Sequence, residues 1–401
     1  MIDYRDALRE VLARAKALPG ESVSLAEALG RTLARDIRAA GDIPPFAKAT
    51  MDGYAVSAAC TRPPEGAAFV ELEVTEDLPA GRISRRTVGP GQAARIMTGA
   101  PLPKGADAVV MVEDTEESGG RVRILRPVRA ADNIGEAGED VKKGELVLTK
   151  GALIGPAEVG MLAALGHTSV RVSRRPEAAV IATGDEIVEP GQKARPGQIR
   201  NSNGHALRAM AIQAGAKASY LGIARDKNSS LKLKIRKARE ADILILSGGV
   251  SVGDYDLVKE ELGALGVRPV FWRARIKPGK PIFFGLRGRQ LVFGLPGNPT
   301  SAMVTFHLFV RPAIDKMLGR KSPGLRSGKA VVEEEISIKP GRTQFLRGIL
   351  SGDGPELRVA PFPDQKSGVL KSMVKSRALI MVPADVSRID KGSPVEIFFL
   401  D

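Results

Sequence analysis

Apolar and polar positions change their period several times along the chain, and each change marks a candidate module. Residues 4–18 place Leu8, Val11, Leu12, Ala15 and Leu18 at helical spacing with charges between them. Ser24 followed by Glu27 is a capping-box pair and predicts that a second helix opens there. From about Ile43 to Leu148 the period shortens, and runs such as 70–74, 108–112 and 122–125 alternate with Gly/Pro turns. That pattern predicts a small β-rich module. Residues 154–165 return to a helical pattern with Pro156 near the first turn. This helix is expected to rejoin the N-terminal helices and make the β module an insertion.

From about Arg175 the pattern becomes strand, loop, helix, repeated. Strands are expected at 178–182, 218–224, 243–246 and 291–294, with helices from 201–203 through about 214, around Leu231, Ile235 and Ala238, from about 255 to 262, and over 300–318. Such alternation implies a mainly parallel sheet covered by helices, in which ligands bind beyond the carboxyl ends of the strands. After a polar stretch at 319–329, five short β runs (330–338, 344–350, 357–361, 378–382 and 395–400) predict a small barrel or sandwich. The fold class expected is therefore multidomain, α/β plus β.

Composition narrows the chemistry. A chain of 401 residues with 43% hydrophobic and 26% charged content is expected to form several globular domains. One cysteine, Cys60, excludes an internal disulfide, and three histidines leave little for a zinc site. The N-terminus Met1-Ile2-Asp3-Tyr4-Arg5-Asp6 is charged where an export signal would be apolar, so a cytoplasmic protein is expected. The long uncharged stretch 290–310 contains Pro296, Gly297 and Pro299, which argue for strand, loop and helix rather than a membrane span. The net charge of +14 calls for an anionic partner, while 4% aromatic content gives little for stacking nucleic acid bases. Residues 268–289 hold +7 and residues 221–240 hold +5, so these two stretches carry most of the excess.

Three loops of the α/β segment concentrate the candidate chemistry. Thr183-Gly184-Asp185-Glu186 sets two acids at a strand end, which suits a hard cation, although four such residues more often form a solvated turn or a helix cap. Ser247-Gly248-Gly249-Val250-Ser251 leads into Asp254-Tyr255-Asp256, where exposed amides beside carboxylates fit a metal-bridged phosphate; Asp254 could also simply cap a helix. Lys277-Pro278-Gly279-Lys280 places two cations around a turn and suits an oxyanion. Pro296-Gly297-Asn298-Pro299 is either a stiff ligand loop or a plain strand-to-helix turn. In the β module, the stretch around Asp52 and Gly53 and the loop from Thr98 to Asp107 read as turns carrying polar groups.

Together these motifs, in this order, resemble the molybdopterin molybdenumtransferase (MoeA) family, to which the C-terminal part of gephyrin is also similar. The resemblance covers nearly the whole chain. It implies a homodimer whose subunits have four parts: a helical dimerisation domain from 1–42 and 139–174, an inserted β domain from 43–138, an α/β domain like the molybdopterin adenylyltransferases from 175–325, and a C-terminal β-barrel from 326–401. It implies insertion of molybdate into adenylylated molybdopterin with Mg²⁺-dependent release of AMP. The substrate's own dithiolene sulfurs would hold the molybdenum, which accounts for the scarcity of Cys and His.

By the same resemblance, Asp52, Thr98, Asp140, Asp226 and Asp256 are catalytic, with Asp52 and Thr98 reaching the cleft of the other subunit. Ser247, Gly248, Gly249, Ser251, Lys277, Lys280, Pro296, Gly297, Asn298, Pro299 and Ser367 bind substrate, and Asp185, Glu186, Asp254 and Asp256 bind Mg²⁺. Molybdopterin adenylyltransferase and apo-molybdoenzymes are expected partners; nucleic acid and membrane are not. At Asn133-Ile134-Gly135 the chain departs from the family, whose members often carry a basic residue there. An adenylyltransferase activity is argued against by the four-domain length, and a gephyrin-like scaffold by the lack of a long linker or fused domain.

Overall fold

The computed structural model describes residues 1–225, 228–249, 257–354 and 357–400. The chain divides into two compact units, Met1–Arg35 with Lys150–Gly155 and Ser169–Asp401, and Asp36–Thr149 with Pro156–Thr168. The segments 1–42 and 139–174, grouped above as one helical domain, are thus shared between the two units.

Helix α1 (Tyr4–Arg14) starts at Asp3, whose carboxylate accepts the Arg5 N–H at 3.1 Å. Its buried face, Tyr4, Ala7 and Val11, joins the largest apolar core of the first unit rather than a separate helical bundle. Tyr4 packs edge-on against Phe309 and Phe345, with ring centroids 5.9 and 4.9 Å away, and burial pushes its hydroxyl pKa up to about 12. The helix expected after Ser24 does not form. Ser24 ends strand β1 (Gly20–Ser24), paired in register with residues 169–173, and its hydroxyl bonds the Glu27 carboxylate at 2.8 Å across a single 3-10 turn. Leu25, Ala28 and Leu29 keep a helical spacing, but the preceding residues are held in a ladder and Gly30, at φ 73°, ends the turn before a helix can propagate.

The second unit is built on six strands: β2 (Gly53–Val56), β3 (Val70–Leu78), β4 (Gln92–Ile96), β5 (Ala108–Met111), β6 (Thr115–Ser118) and β7 (Arg121–Ile124), in the order β5-β2-β4-β3-β7-β6. Alternating residues feed two cores: Tyr54, Val56 and Val110 in one, Ala55, Ala94 and Val109 in the other. Helix α2 (Pro156–Ala164) belongs to this unit.

In the first unit β8 (Ser169–Ser173) pairs antiparallel with β1, and the α/β module follows. Its elements are β9 (Glu177–Thr183), α3 (Asn203–Gln213), β10 (Lys217–Ala224), α4 (Asn228–Lys237), β11 (Ile243–Ser247), α5 (Leu257–Ala264), β12 (Arg268–Trp272), β13 (Phe283–Arg287) and β14 (Gln290–Leu295). The sheet runs β10-β9-β11-β14-β13-β12; the first four are mutually parallel, and β13 is antiparallel to both of its neighbours. All of β11 and β14 is buried, as expected of strands covered on both faces. β12 and β13 lie within the basic stretch that the sequence pattern did not mark as strands. The helix expected over 300–318 comprises α6 (Pro299–Thr305), a π turn (Phe306–Val310) and α7 (Arg311–Met317).

The C-terminal module is a closed ring of five strands. β15 (Ser327–Val332), β16 (Thr343–Ser351), β17 (Arg358–Pro361), β18 (Ala378–Val382) and β19 (Pro394–Phe399) close as β16-β17-β15-β19-β18-β16, around Val332, Leu346, Val359, Ile380 and Ile397. Helix α8 (Leu370–Lys375), absent from the sequence pattern, lies between β17 and β18. The short strand Ile276–Lys277 joins this sheet, Ile276 opposite Thr343 and Lys277 opposite Gln344. The barrel edge is thereby tied to the α/β module next to the Lys277 turn. No helix among the described residues is long and apolar enough to cross a membrane.

Candidate functional site

Parallel strands β9, β11 and β14 end side by side, so the three motif loops converge on one cleft of about 1610 Å³ between the α/β module and the barrel. The loops are cross-tied. Thr183 Oγ1 donates to the Ser247 carbonyl at 3.2 Å, and the Gly248 N–H donates to the Leu295 carbonyl at 3.1 Å. Asn203, at the start of α3, donates from Nδ2 both to Ser247 Oγ at 2.9 Å and to the Gly297 carbonyl at 2.8 Å. Gly248 has φ 94°, and a Cβ there would come within 2.7 Å of the Thr183 carbonyl. Only glycine lets the second loop lie this close to the first.

Of the expected residues, Glu186, Ser247, Gly248 and Gly249 line the cleft from two loops; Pro296, Gly297 and Asn298 line it from the third. Pro299 is the first residue of α6 directly behind that loop. Asp185 is exposed and outside the cleft lining; its carbonyl accepts from Arg225 at 2.9 Å. Asp226, Ser251, Asp254 and Asp256 lie outside the described residues.

Lys277 and Lys280 also line the cleft, both exposed, and no carboxylate among the described residues pairs with either. Two lysines held on a packed turn without counter-ions make a site for an anion. Ser367 closes the cleft from the barrel side, its hydroxyl accepting from Asn298 Nδ2 at 2.8 Å, while its carbonyl accepts the Thr300 N–H at 3.1 Å.

Arg347 was not marked by any sequence motif. It is 1% exposed. Its guanidinium donates to the Ser372 hydroxyl at 3.1 Å and to the Asp364 and Lys366 carbonyls, each at 3.2 Å. Burial pushes its pKa down to about 10. This side chain holds the 364–367 segment in place, and with it Ser367. Its only sequence signal is a lone cation in an otherwise apolar strand, Phe345-Leu346-Arg347, which fits a burial position better than a solvent-facing one.

The second unit contains the other expected group. Asp52 Oδ1 accepts both the backbone N–H and the hydroxyl of Thr98, each at 2.7 Å, and these two donors hold its carboxyl below the usual aspartate range. The two motif turns are thus joined into one constellation. A Cβ at Gly53 would collide with the Val110 carbonyl, which makes glycine obligatory beside Asp52. Asp140 is exposed on the same unit, its N–H bonded to the Ile43 carbonyl at 3.0 Å. At Gly135 a side chain would meet the Glu139 carboxylate within 2.6 Å, and Glu139 pairs with Lys48 at 3.1 Å.

Three family models cover almost the whole chain: MoeA N-terminal region (domain I and II) at residues 2–166, probable molybdopterin binding domain at 179–316, and MoeA C-terminal region (domain IV) at 329–400. The molybdopterin molybdenumtransferase of Bacillus subtilis is 36% identical over 404 residues, covering 100% of this chain and 94% of the relative. That of Staphylococcus epidermidis is 34% identical over 401 residues, covering 100% and 96%. A crystal structure of the molybdopterin biosynthesis MoeA protein from Pyrococcus horikoshii OT3 superposes with a TM-score of 0.87 at 34% identity, covering 100% of both chains.

Proposed function

The chain belongs to the MoeA family and is a transferase of molybdenum cofactor biosynthesis that inserts molybdenum into molybdopterin, and we propose that it does so on adenylylated molybdopterin and molybdate in the cleft beyond β9, β11 and β14. The observation that carries this reading is the Lys277/Lys280 turn, which has no carboxylate partner among the described residues and lies in the same cleft as the Gly248–Gly249 and Pro296–Asn298 loops. Molybdate is a tetrahedral dianion that accepts hydrogen bonds. The two ammonium groups supply donors, and the substrate's dithiolene sulfurs supply the ligands that the metal takes up.

We assign Mg²⁺ to the acidic side of the cleft. Glu186 offers carboxylate oxygens there. That is compatible with an ion that takes one or two carboxylates, keeps waters and shares phosphate oxygens with its substrate. When bound, Mg²⁺ would neutralise charge on the pyrophosphate-like linkage whose cleavage releases AMP. Glu186, with Asp254 or Asp256 assigned to Mg²⁺ by the resemblance, would hold it. The chain's own residues orient the substrate: Asn203 ties two loops together, and Arg347 fixes the segment that carries Ser367. The resemblance also supports a homodimer, with Asp52, Thr98 and Asp140 as further catalytic groups.

The test is incubation of the protein with adenylylated molybdopterin, Mg²⁺ and molybdate, measuring AMP and pterin-bound molybdenum. Both should appear in equal amounts and depend on Mg²⁺. Glu186→Ala should abolish AMP release while leaving the far-ultraviolet circular dichroism unchanged; full Mg²⁺-dependent turnover in this variant would remove Glu186 from the metal site.

A further inference from the structure

Lys339 and Arg342 belong to none of the motifs above, yet both line the same cleft as Lys277 and Lys280. They lie on the turn that enters β16, and that turn is pinned at three points. The Gly341 N–H donates to the Ala384 carbonyl at 2.6 Å and the Thr343 N–H to the Arg275 carbonyl at 3.1 Å. Gln344, only 1% exposed, donates from Nε2 to the Lys339 carbonyl at 2.9 Å. Gln344 is also the register partner of Lys277. The turn bearing the second pair of cations is therefore bonded to the strand bearing the first.

No carboxylate among the described residues pairs with Lys339 or Arg342. Two acids line the cleft from the neighbouring barrel segment: Glu335 is engaged by Arg388 at 2.8 Å and by the Ser337 hydroxyl at 2.9 Å, and Glu334 is exposed. Two cations on a preformed turn beside another cationic turn raise the local positive potential and so favour the entry of anions. One tetrahedral dianion is matched by one lysine pair with backbone amides. Adenylylated molybdopterin brings further anionic groups, its phosphates, and a guanidinium presents two parallel N–H donors to phosphate oxygens.

We propose that Lys339 and Arg342 form a second anion subsite, on the barrel wall of the cleft, which binds a phosphate of adenylylated molybdopterin and leaves Lys277 and Lys280 to molybdate. The inference rests on the reading of the cleft given above. Its test separates the two ligands. Affinity for adenylylated molybdopterin is measured without molybdate by pterin fluorescence, and the molybdate half-saturation of AMP release is measured separately, for the wild type, K339A/R342A, K339R/R342K and K277A.

The double alanine variant should bind the adenylylated pterin roughly tenfold or more weakly, as expected for lost charge-assisted bonds, with its molybdate half-saturation within about twofold of wild type. The charge-conserving variant should recover most of the binding, and K277A should show the reverse pattern. Unchanged pterin affinity in K339A/R342A, or a molybdate shift as large as that of K277A, would overturn the subsite. A wild-type protein that neither binds the adenylylated pterin nor releases AMP overturns the reading of the cleft and the subsite with it.

Discussion

Residues 268–289 and 221–240 carry +7 and +5, and the fold puts that charge to different uses. In the second stretch, α4 buries Leu231, Ile235 and Ala238 and turns its cations outward. Lys232 pairs with Glu261 at 3.1 Å and Lys234 bonds the Leu221 carbonyl. Lys234, Arg236 and Lys237 sit in the last helical turn, where the helix dipole favours cations. In the first stretch, Phe271, Phe283 and Phe284 are buried in β12 and β13. Arg287 donates to the Ile235 and Ala238 carbonyls at 3.3 and 3.4 Å, finishing the end of α4, whereas Lys277 and Lys280 line the cleft with no carboxylate partner among the described residues. Two basic runs alike in sequence separate into helix-end pairing and cleft-lining cations only when each cation's neighbours are known.

Arg347 should show the largest effect of any cation substituted here, because it is buried whereas most cations of the two basic stretches are exposed or half-buried. Arg347→Ala should lower the unfolding free energy by about 3 kcal/mol, because it empties a buried side-chain site and removes the donors of the buried Ser372 hydroxyl and of the partly buried Asp364 and Lys366 carbonyls. Urea titration measures this, and a loss below about 0.5 kcal/mol would mean that water replaces the guanidinium without cost. Activity should fall as well, through the loosened Ser367 segment.

Lys277→Ala should raise the molybdate half-saturation by roughly tenfold and leave the urea midpoint unchanged. Lys237→Ala, in the other basic stretch, should change the half-saturation by less than about twofold and stability by less than about 0.5 kcal/mol. Equal effects of the two substitutions on molybdate would break the comparison and point to a diffuse field in place of a site.

The smallest expected effect lies in the other unit. Two Thr98 donors hold the Asp52 pKa below its usual value, so the stabilisation they supply is fully present above the ordinary aspartate range and is lost as pH falls through the lowered pKa. Thr98→Val removes one donor and keeps the backbone N–H. Nuclear magnetic resonance titration of the Asp52 carboxyl should find its pKa raised toward the ordinary value, and an unchanged titration would assign the whole shift to the backbone.

Much of the cleft was legible before any coordinates. β9, β11 and β14 match the expected runs to within a residue or two at each end, since continuous apolar strands bounded by Gly-rich loops have few other solutions. The loops that follow them line the cleft as the strand-loop-helix alternation predicted. The second helix after Ser24 was a false expectation: a local capping signal lost to strand pairing with residues 169–173, a partner about 150 positions away. The β12–β13 hairpin and α8 went unmarked because dense Lys and Arg masked the apolar alternation in the one and α8 is only 6 residues long.

What the sequence determined by itself was the run of periodicities, and hence the module types, together with the glycines and prolines that shape the motif loops. Those are local properties, set within a few residues by sterics and by which side of an element meets water. Tertiary structure alone decided that α1 packs into the α/β core, that Asp52 meets Thr98, that Arg347 is buried beneath the Ser367 segment, and that Lys339 and Arg342 share a cleft with Lys277 and Lys280. Each of these depends on chain closure over tens to hundreds of residues: Asp52 meets Thr98 through the pairing of Gly53 with Ile96, and the two cationic turns meet through the pairing of Ile276–Lys277 with Thr343–Gln344. Residue spacing carries no record of such contacts, because the hydrogen bonds that make them join positions whose sequence neighbours are unaffected by the meeting.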